Sequence, residues 1–113
     1  MTDCLFCSFV SGEIEADVVH ETDTTLAFRD INPQAPTHVL VIPKAHHPTL
    51  AELAANAPEL VADLAATAGA IAEKEGLGEG YRLVFNTGGH AGQTVFHVHG
   101  HVLGGRPMGW PPG

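Results

Sequence analysis

The sequence predicts an α+β fold: an antiparallel sheet of about five strands with one main helix and a short helix. Three observations lead there. Short apolar runs of strand length recur with turn signals between them. One longer segment repeats its apolar residues at helical spacing. With 113 residues, 44% of them hydrophobic, the chain fits a single domain, residues 1–113, with a core of its own.

Residues 17–21, DVVHE, and 25–30, TLAFRD, read as two strands joined at Thr22-Asp23. NPQAP, residues 32–36, is a loop, because its two prolines restrict the backbone. HVLVIP, residues 38–43, is a strongly apolar strand ended by Pro43, with His38, Leu40 and Ile42 on one face. Thr49 and Glu52 form a T-x-x-E capping box, a helix start. Pro58 suits the first turn of the main helix, where Leu60, Val61, Leu64, Ala68, Ile71 and Ala72 recur at helical spacing and Gly76 stops the run. YRLVFN, residues 81–86, is a strand, TGGHAGQ a glycine-rich loop, and VFHVHGHVL, residues 95–103, the last strand before the tail GGRPMGWPPG.

A formal charge of −8, with only 5 Lys and Arg, repels DNA, RNA and anionic membranes. No run of about 18 apolar residues occurs, so no membrane span is expected. The start, MTDCLFC, has no basic region and no long apolar run, so no export signal is read there and a cytoplasmic setting is expected. Cys4 and Cys7 are too close in sequence to staple a fold and read as a metal knuckle or a redox pair.

The stretch HVHGHV carries the chemistry. On a strand, His97, His99 and His101 share one face, neighbours about 7 Å apart. Three polar rings cannot be buried against an apolar core without partners, so that face meets water, a metal or a ligand. Outer members about 13 Å apart are poorly placed for one common zinc. A phosphate group, with several oxygens, suits a row of donors better. The loop from Asn86 to Thr94 adds glycines that let backbone amides approach an anion. No Lys or Arg lies between Arg82 and Arg106, which favours a mononucleotide phosphate over a triphosphate. Imidazole also attacks phosphorus when one nitrogen is neutral and the other is fixed by a hydrogen bond, and a neighbouring imidazole can serve the leaving group. His20, His47 and His90 read as surface residues.

HVHGHV resembles the signature of the histidine-triad superfamily. GQTVFHVHGHVLGGRPMGWPPG, DINPQAPTHVLVIPK and the opening C-L-F-C resemble its Hint branch, in order and over essentially the whole chain. The resemblance implies a hydrolase of purine nucleoside 5′-phosphoramidates that binds AMP or GMP and works as a homodimer. His99 then matches the nucleophile that becomes nucleotidylated, His101 a phosphate-contacting partner, His97 a residue that orients the site, and His38 the histidine beside the leaving group. Asn86, Gln93 and Thr94 match residues that hydrogen-bond the phosphate, and Asp30 the acid on the ribose. Phe6, Phe9, Ile14, Phe28, Ile31 and Leu40 match the apolar slot for the base. At Gly100 the eukaryotic pattern carries a larger apolar residue, which would loosen the packing behind the triad here. The resemblance further implies one structural zinc per chain on Cys4, Cys7, His46 and His97, with His47 as the alternative to His46. Two other functions stay open at this point: a dinucleoside polyphosphate hydrolase of the same superfamily, and a zinc-carrying nucleotide- or protein-binding module with little turnover.

Overall fold

A computed structural model describes residues 4–113; residues 1–3, part of the stretch read for an export signal, lie outside them. The chain order is α1 (Leu5–Ser11), β1 (Val18–Glu21), β2 (Thr25–Arg29), β3 (Thr37–Pro43), α2 (Leu50–Asn56), α3 (Pro58–Lys74), β4 (Tyr81–Phe85) and β5 (Gly100–Gly104), with a 3-10 turn at Gly89–Ala91. The strands form one antiparallel sheet in the order β1-β2-β3-β5-β4. The α+β class, the single sheet and its five strands agree with the sequence reading. Among the described residues, no helix is long and apolar enough to cross a membrane.

β3 is the central strand, and every one of its residues is buried. That explains its near-continuous apolar sequence, since both faces of the sheet are covered. On one face, Leu64, Ala68, Ile71 and Ala72 of α3 pack with Ala27, Val39, Val41 and Val102. The alanines let the helix approach closely. Pro58 stands at the first position of α3, and Gly76 follows its end with φ +72°. Thr49 caps α2, its hydroxyl accepting the Glu52 N–H at 3.3 Å.

The other face is smaller and carries the site. Phe6, Leu26, Phe28, Leu40 and Ile42 form its core. The registers Phe28↔Leu40 and Leu40↔His101 place these three side chains in one row across β2, β3 and β5. Over the row lies α1, which the strand and helix patterns do not foresee. Its signals are Phe6, Phe9 and Val10 at helical spacing, with Gly12 closing it in the left-handed region at φ +83°.

The last strand is shorter than expected. It starts at Gly100, so only His101 of the three histidines lies on it. Both neighbours explain the late start. β4 ends at Phe85, opposite Gly100, and on the other side Pro43 ends β3 without an N–H to donate. Residues 97–99 are held by other means: the Val98 N–H donates to the His47 carbonyl at 2.7 Å, and His97 reaches the Pro43 carbonyl with its ring. Packing behind the triad is not loosened at Gly100. A Cβ there would fall 2.8 Å from Phe85 Cζ and 2.9 Å from Leu83 Cδ1, so those two side chains already fill the space.

Candidate active site and metal-ligand cluster

A cavity of about 310 Å³ opens on the smaller face, walled by Leu5, Phe6, Phe9, Phe28 and Leu40, with Asp30, Thr94, His99 and His101 at its polar end. Its walls come from α1, the row across β2 and β3, and the segment before β5. A larger cavity, about 540 Å³, lies among Gly76–Gly80 and Gly105–Pro107; it contains no histidine.

Hydrogen bonds fix the tautomer of each histidine at the polar end. The His99 ring is 2.9 Å through Nδ1 from the His97 carbonyl, which can only accept. The proton therefore sits on Nδ1, and Nε2 keeps its lone pair. His38 accepts the Gln34 backbone N–H on Nδ1 at 3.0 Å, so its proton sits on Nε2. That Nε2–H faces His101 Nδ1 at 2.9 Å and the Asp30 carboxylate at 3.4 Å. His101 consequently carries its own proton on Nε2. The His99 and His101 rings lie 5.1 Å apart, and Phe6 meets His99 edge-on at 5.0 Å.

Burial dominates the electrostatics. It pushes His101 down to about 4, helped by the neighbouring His99 and His38 and opposed by Asp30. Burial also lowers His38, against the pull of Asp30. Both are neutral near pH 7, so the contact of His38 with Asp30 is a hydrogen bond and not an ion pair. Asp30, His38 and His101 are close enough to be considered as metal ligands. The Gln34 amide argues against it, because it occupies the Nδ1 lone pair of His38 and leaves a proton on the nitrogen that would have to bind the ion.

Next to this site, Cys4, Cys7, His46 and His97 bring their donor atoms within 4.8 Å of one another. His97 is fully buried and donates Nε2–H to the Pro43 carbonyl at 2.8 Å, which turns the Nδ1 lone pair toward the thiols at 3.4 and 3.5 Å. His46 Nδ1 lies 3.3 Å from Cys7 Sγ. His47 points elsewhere, to the Glu52 carboxylate at 2.8 Å.

A HIT-domain family model matches residues 11–108. The chain belongs to the HIT family. This HIT domain is 45% identical to the purine nucleoside phosphoramidase of Escherichia coli K12, over 95% of this chain and 91% of that protein. A HIT family hydrolase from Legionella pneumophila Philadelphia 1 has the same fold, with a TM-score of 0.94 and 53% identity over 98% of this chain and all of that one. A zinc-bound histidine triad family protein from Mycobacterium smegmatis aligns with a TM-score of 0.81 and 41% identity, over 92% of this chain and 76% of that one.

In this HIT domain the residues singled out from the sequence are divided among several places. His99, His101, Asp30, Thr94, Phe6, Phe9, Phe28 and Leu40 line the cavity, with Ile31 fully exposed at its rim. His38 stands behind His101, and His97 belongs to the four-residue cluster. Gln93, Asn86 and Ile14 do not line the cavity. Gln93 is buried, and its carboxamide is occupied within the protein: it accepts the Gly88 N–H at 2.9 Å and donates to the Pro48 and Val95 carbonyls at 2.7 and 3.1 Å. Asn86 lies beside Gly92. Sequence reasoning missed the Gln34 amide and the Pro43 carbonyl, which no side-chain pattern signals, and the wall residues Leu5 and Val95.

Proposed function

We propose that the protein hydrolyses purine nucleoside 5′-phosphoramidates through a nucleotidyl-histidine intermediate on His99. The observation that carries this reading is the His99 ring, with Nδ1–H held by the His97 carbonyl and an unprotonated Nε2 at a cavity wall beside His101. The base lies among Phe6, Phe9, Phe28 and Leu40, and Asp30 accepts from a ribose hydroxyl. Thr94 faces the phosphate from the cavity wall, while the amides of Gly88, Ala91, Gly92 and Gln93 are engaged within their own loop. Nε2 of His99 attacks the α-phosphorus, the P–N bond breaks, and the amine leaves with a proton that His101 relays from solvent and that the water of the second step returns. The His97 carbonyl stabilises the imidazolium that forms on His99. Water then cleaves the nucleotidyl-histidine, releasing the 5′-monophosphate and restoring the ring.

A hydrolase acting on dinucleoside polyphosphates would need cations for the extra charge. All five Lys and Arg side chains have partners in the fold: Arg29 with Glu75, Lys44 with Glu21, Lys74 with the Val19 carbonyl, Arg82 with the Gly109 carbonyl, and Arg106 with the Gln34 carbonyl. An amine is also a poor leaving group that gains most from a proton donor. The expected result is that kcat/KM for an adenosine phosphoramidate exceeds that for diadenosine polyphosphates by about two orders of magnitude, about 2.7 kcal/mol of transition-state stabilisation. Faster cleavage of the polyphosphate would favour that substrate class; AMP binding without turnover of either would favour a binding module.

Cys4, Cys7, His46 and His97 fit one structural zinc per chain. Bonds of about 2.3 Å to sulfur and 2.0–2.1 Å to nitrogen place those atoms roughly 3.6 Å apart around a tetrahedral ion, against 3.3 to 3.5 Å for the cysteine–histidine pairs here. Bound there, zinc supplies a closed cross-link and no open position for a reactant. A homodimer is supported by β4 at the edge of the sheet and by Trp110, 86% exposed on the tail. A reducing, cytoplasmic setting suits the thiol ligands.

A further inference from the structure

Arg106 lies outside the cavity, exposed on the turn that follows β5. Its guanidinium nonetheless reaches the loop joining β2 to β3. Nη2–H donates to the Gln34 carbonyl at 3.0 Å, and Nη1–H to the Pro107 carbonyl at 3.2 Å. Gln34 is also the residue whose N–H sits on His38 Nδ1. A second contact comes from Gly105, at φ +90°: a Cβ there would fall 2.8 Å from Pro36 Cβ, so the turn packs closely against the same loop. Residues 105 and 106 thus clasp the loop at both Pro36 and Gln34. Inside the loop, the Asn32 N–H donates to Asp30 and the Gln34 side chain to the Asn32 carbonyl.

We propose that Arg106 is a positioning residue: by holding the Gln34 carbonyl, it keeps the Gln34 amide on His38 and so sets the direction of the hydrogen-bond chain through His38 to His101. The direction matters because imidazole has one proton to place. With the amide on Nδ1, His38 donates from Nε2 and His101 presents an N–H to the cavity. Should the amide slip, His38 can carry its proton on Nδ1. His101 then donates back from Nδ1, and its cavity-facing nitrogen becomes an acceptor that cannot serve a phosphoryl oxygen or a leaving amine. The titratable groups facing the pair are Asp30 from the end of β2 and His99 from the segment before β5. The kinetic consequence rests on the phosphoramidase reading; the tautomer does not.

The test uses 15N-histidine-labelled full-length protein without substrate near pH 7. Imidazole nitrogen shifts of the wild type are expected to show Nε2–H tautomers at His38 and His101. Arg106→Ala is expected to turn His38 into a tautomer mixture and to lower kcat on an adenosine phosphoramidate about tenfold, with KM within about twofold. Arg106→Lys, which keeps one donor, is expected to recover most of both. Gly105→Ala, which displaces the same turn, is expected to reproduce the loss. Unchanged nitrogen shifts in Arg106→Ala would overturn the assignment, as would a loss seen in Gly105→Ala alone. If the wild type releases no AMP, the phosphoramidase reading falls and the nitrogen shifts still decide the role of Arg106.

Discussion

Three imidazoles that look alike in the string HVHGHV end in three different states, each set by its own hydrogen-bond partner. The His97 ring gives its proton to Pro43 and turns its lone pair to the thiols. His99 gives its proton to the His97 carbonyl and keeps a free lone pair. His101 accepts the His38 Nε2–H on Nδ1 and carries its own proton on Nε2. The sequence alone would put a donor histidine near its ordinary value of about 6.5. Burial instead takes His101 to about 4 and lowers His38. A histidine whose pKa is depressed on folding stabilises the native state fully above about 6.5, and that contribution fades as the pH falls toward about 4. The melting temperature is therefore expected to drop with acidification across that window, and His101→Asn to flatten the drop. An equally steep fall in the variant would show that His101 contributes nothing to it.

α1 shows why an element can escape the pattern while its residues do not. Phe6 and Phe9 are legible as apolar, and Cys4 and Cys7 as a ligand pair, but the helix has only seven residues, too few for a repeating stripe. β5 fails in the opposite way. The alternation in VFHVHGHVL reads as nine residues of strand, yet the ladder needs neighbours, and Pro43 and Phe85 withdraw them before Gly100. The long elements were legible because their burial is periodic: α3 in its apolar face, β3 in its unbroken run. Two predictions belong here. Ile71 is fully buried beneath α3, so Ile71→Ala is expected to cost about 2–5 kcal/mol in denaturant unfolding; a loss under about 1 kcal/mol would contradict that packing. Cys4 caps α1, its Sγ accepting the Cys7 N–H at 3.4 Å, and both cysteines join α1 to His46 and His97. Purified protein is expected to carry about one zinc per chain. Chelation or Cys4→Ser is expected to lower the melting temperature, because metal binding to the native fold adds to folding free energy. Zinc loss without a shift in melting would leave the cluster without a structural role.

At the scale of the whole molecule, the excess of acid is what separates this protein from nucleotide binders that work by lysine and arginine. With 13 Asp and Glu against 5 Lys and Arg, all five engaged within the fold, an anionic substrate approaches against the field. Salt screens that repulsion, so kcat/KM is expected to rise about two- to threefold between roughly 0.02 and 0.2 M ionic strength; a steep fall would mean that a cationic surface does the binding. Attraction must then come from the short-range groups of the cavity, and the chemistry from the lone pair that the fold leaves on His99. The most direct test is to quench the protein in acid-free conditions during turnover of an adenosine phosphoramidate and map the adenylyl mass by peptide sequencing. The account predicts the adduct on His99, with Arg106→Ala still labelled there and His99→Ala unlabelled, inactive and able to bind AMP. An adduct on His97 or His101, or full turnover by His99→Ala, would contradict it.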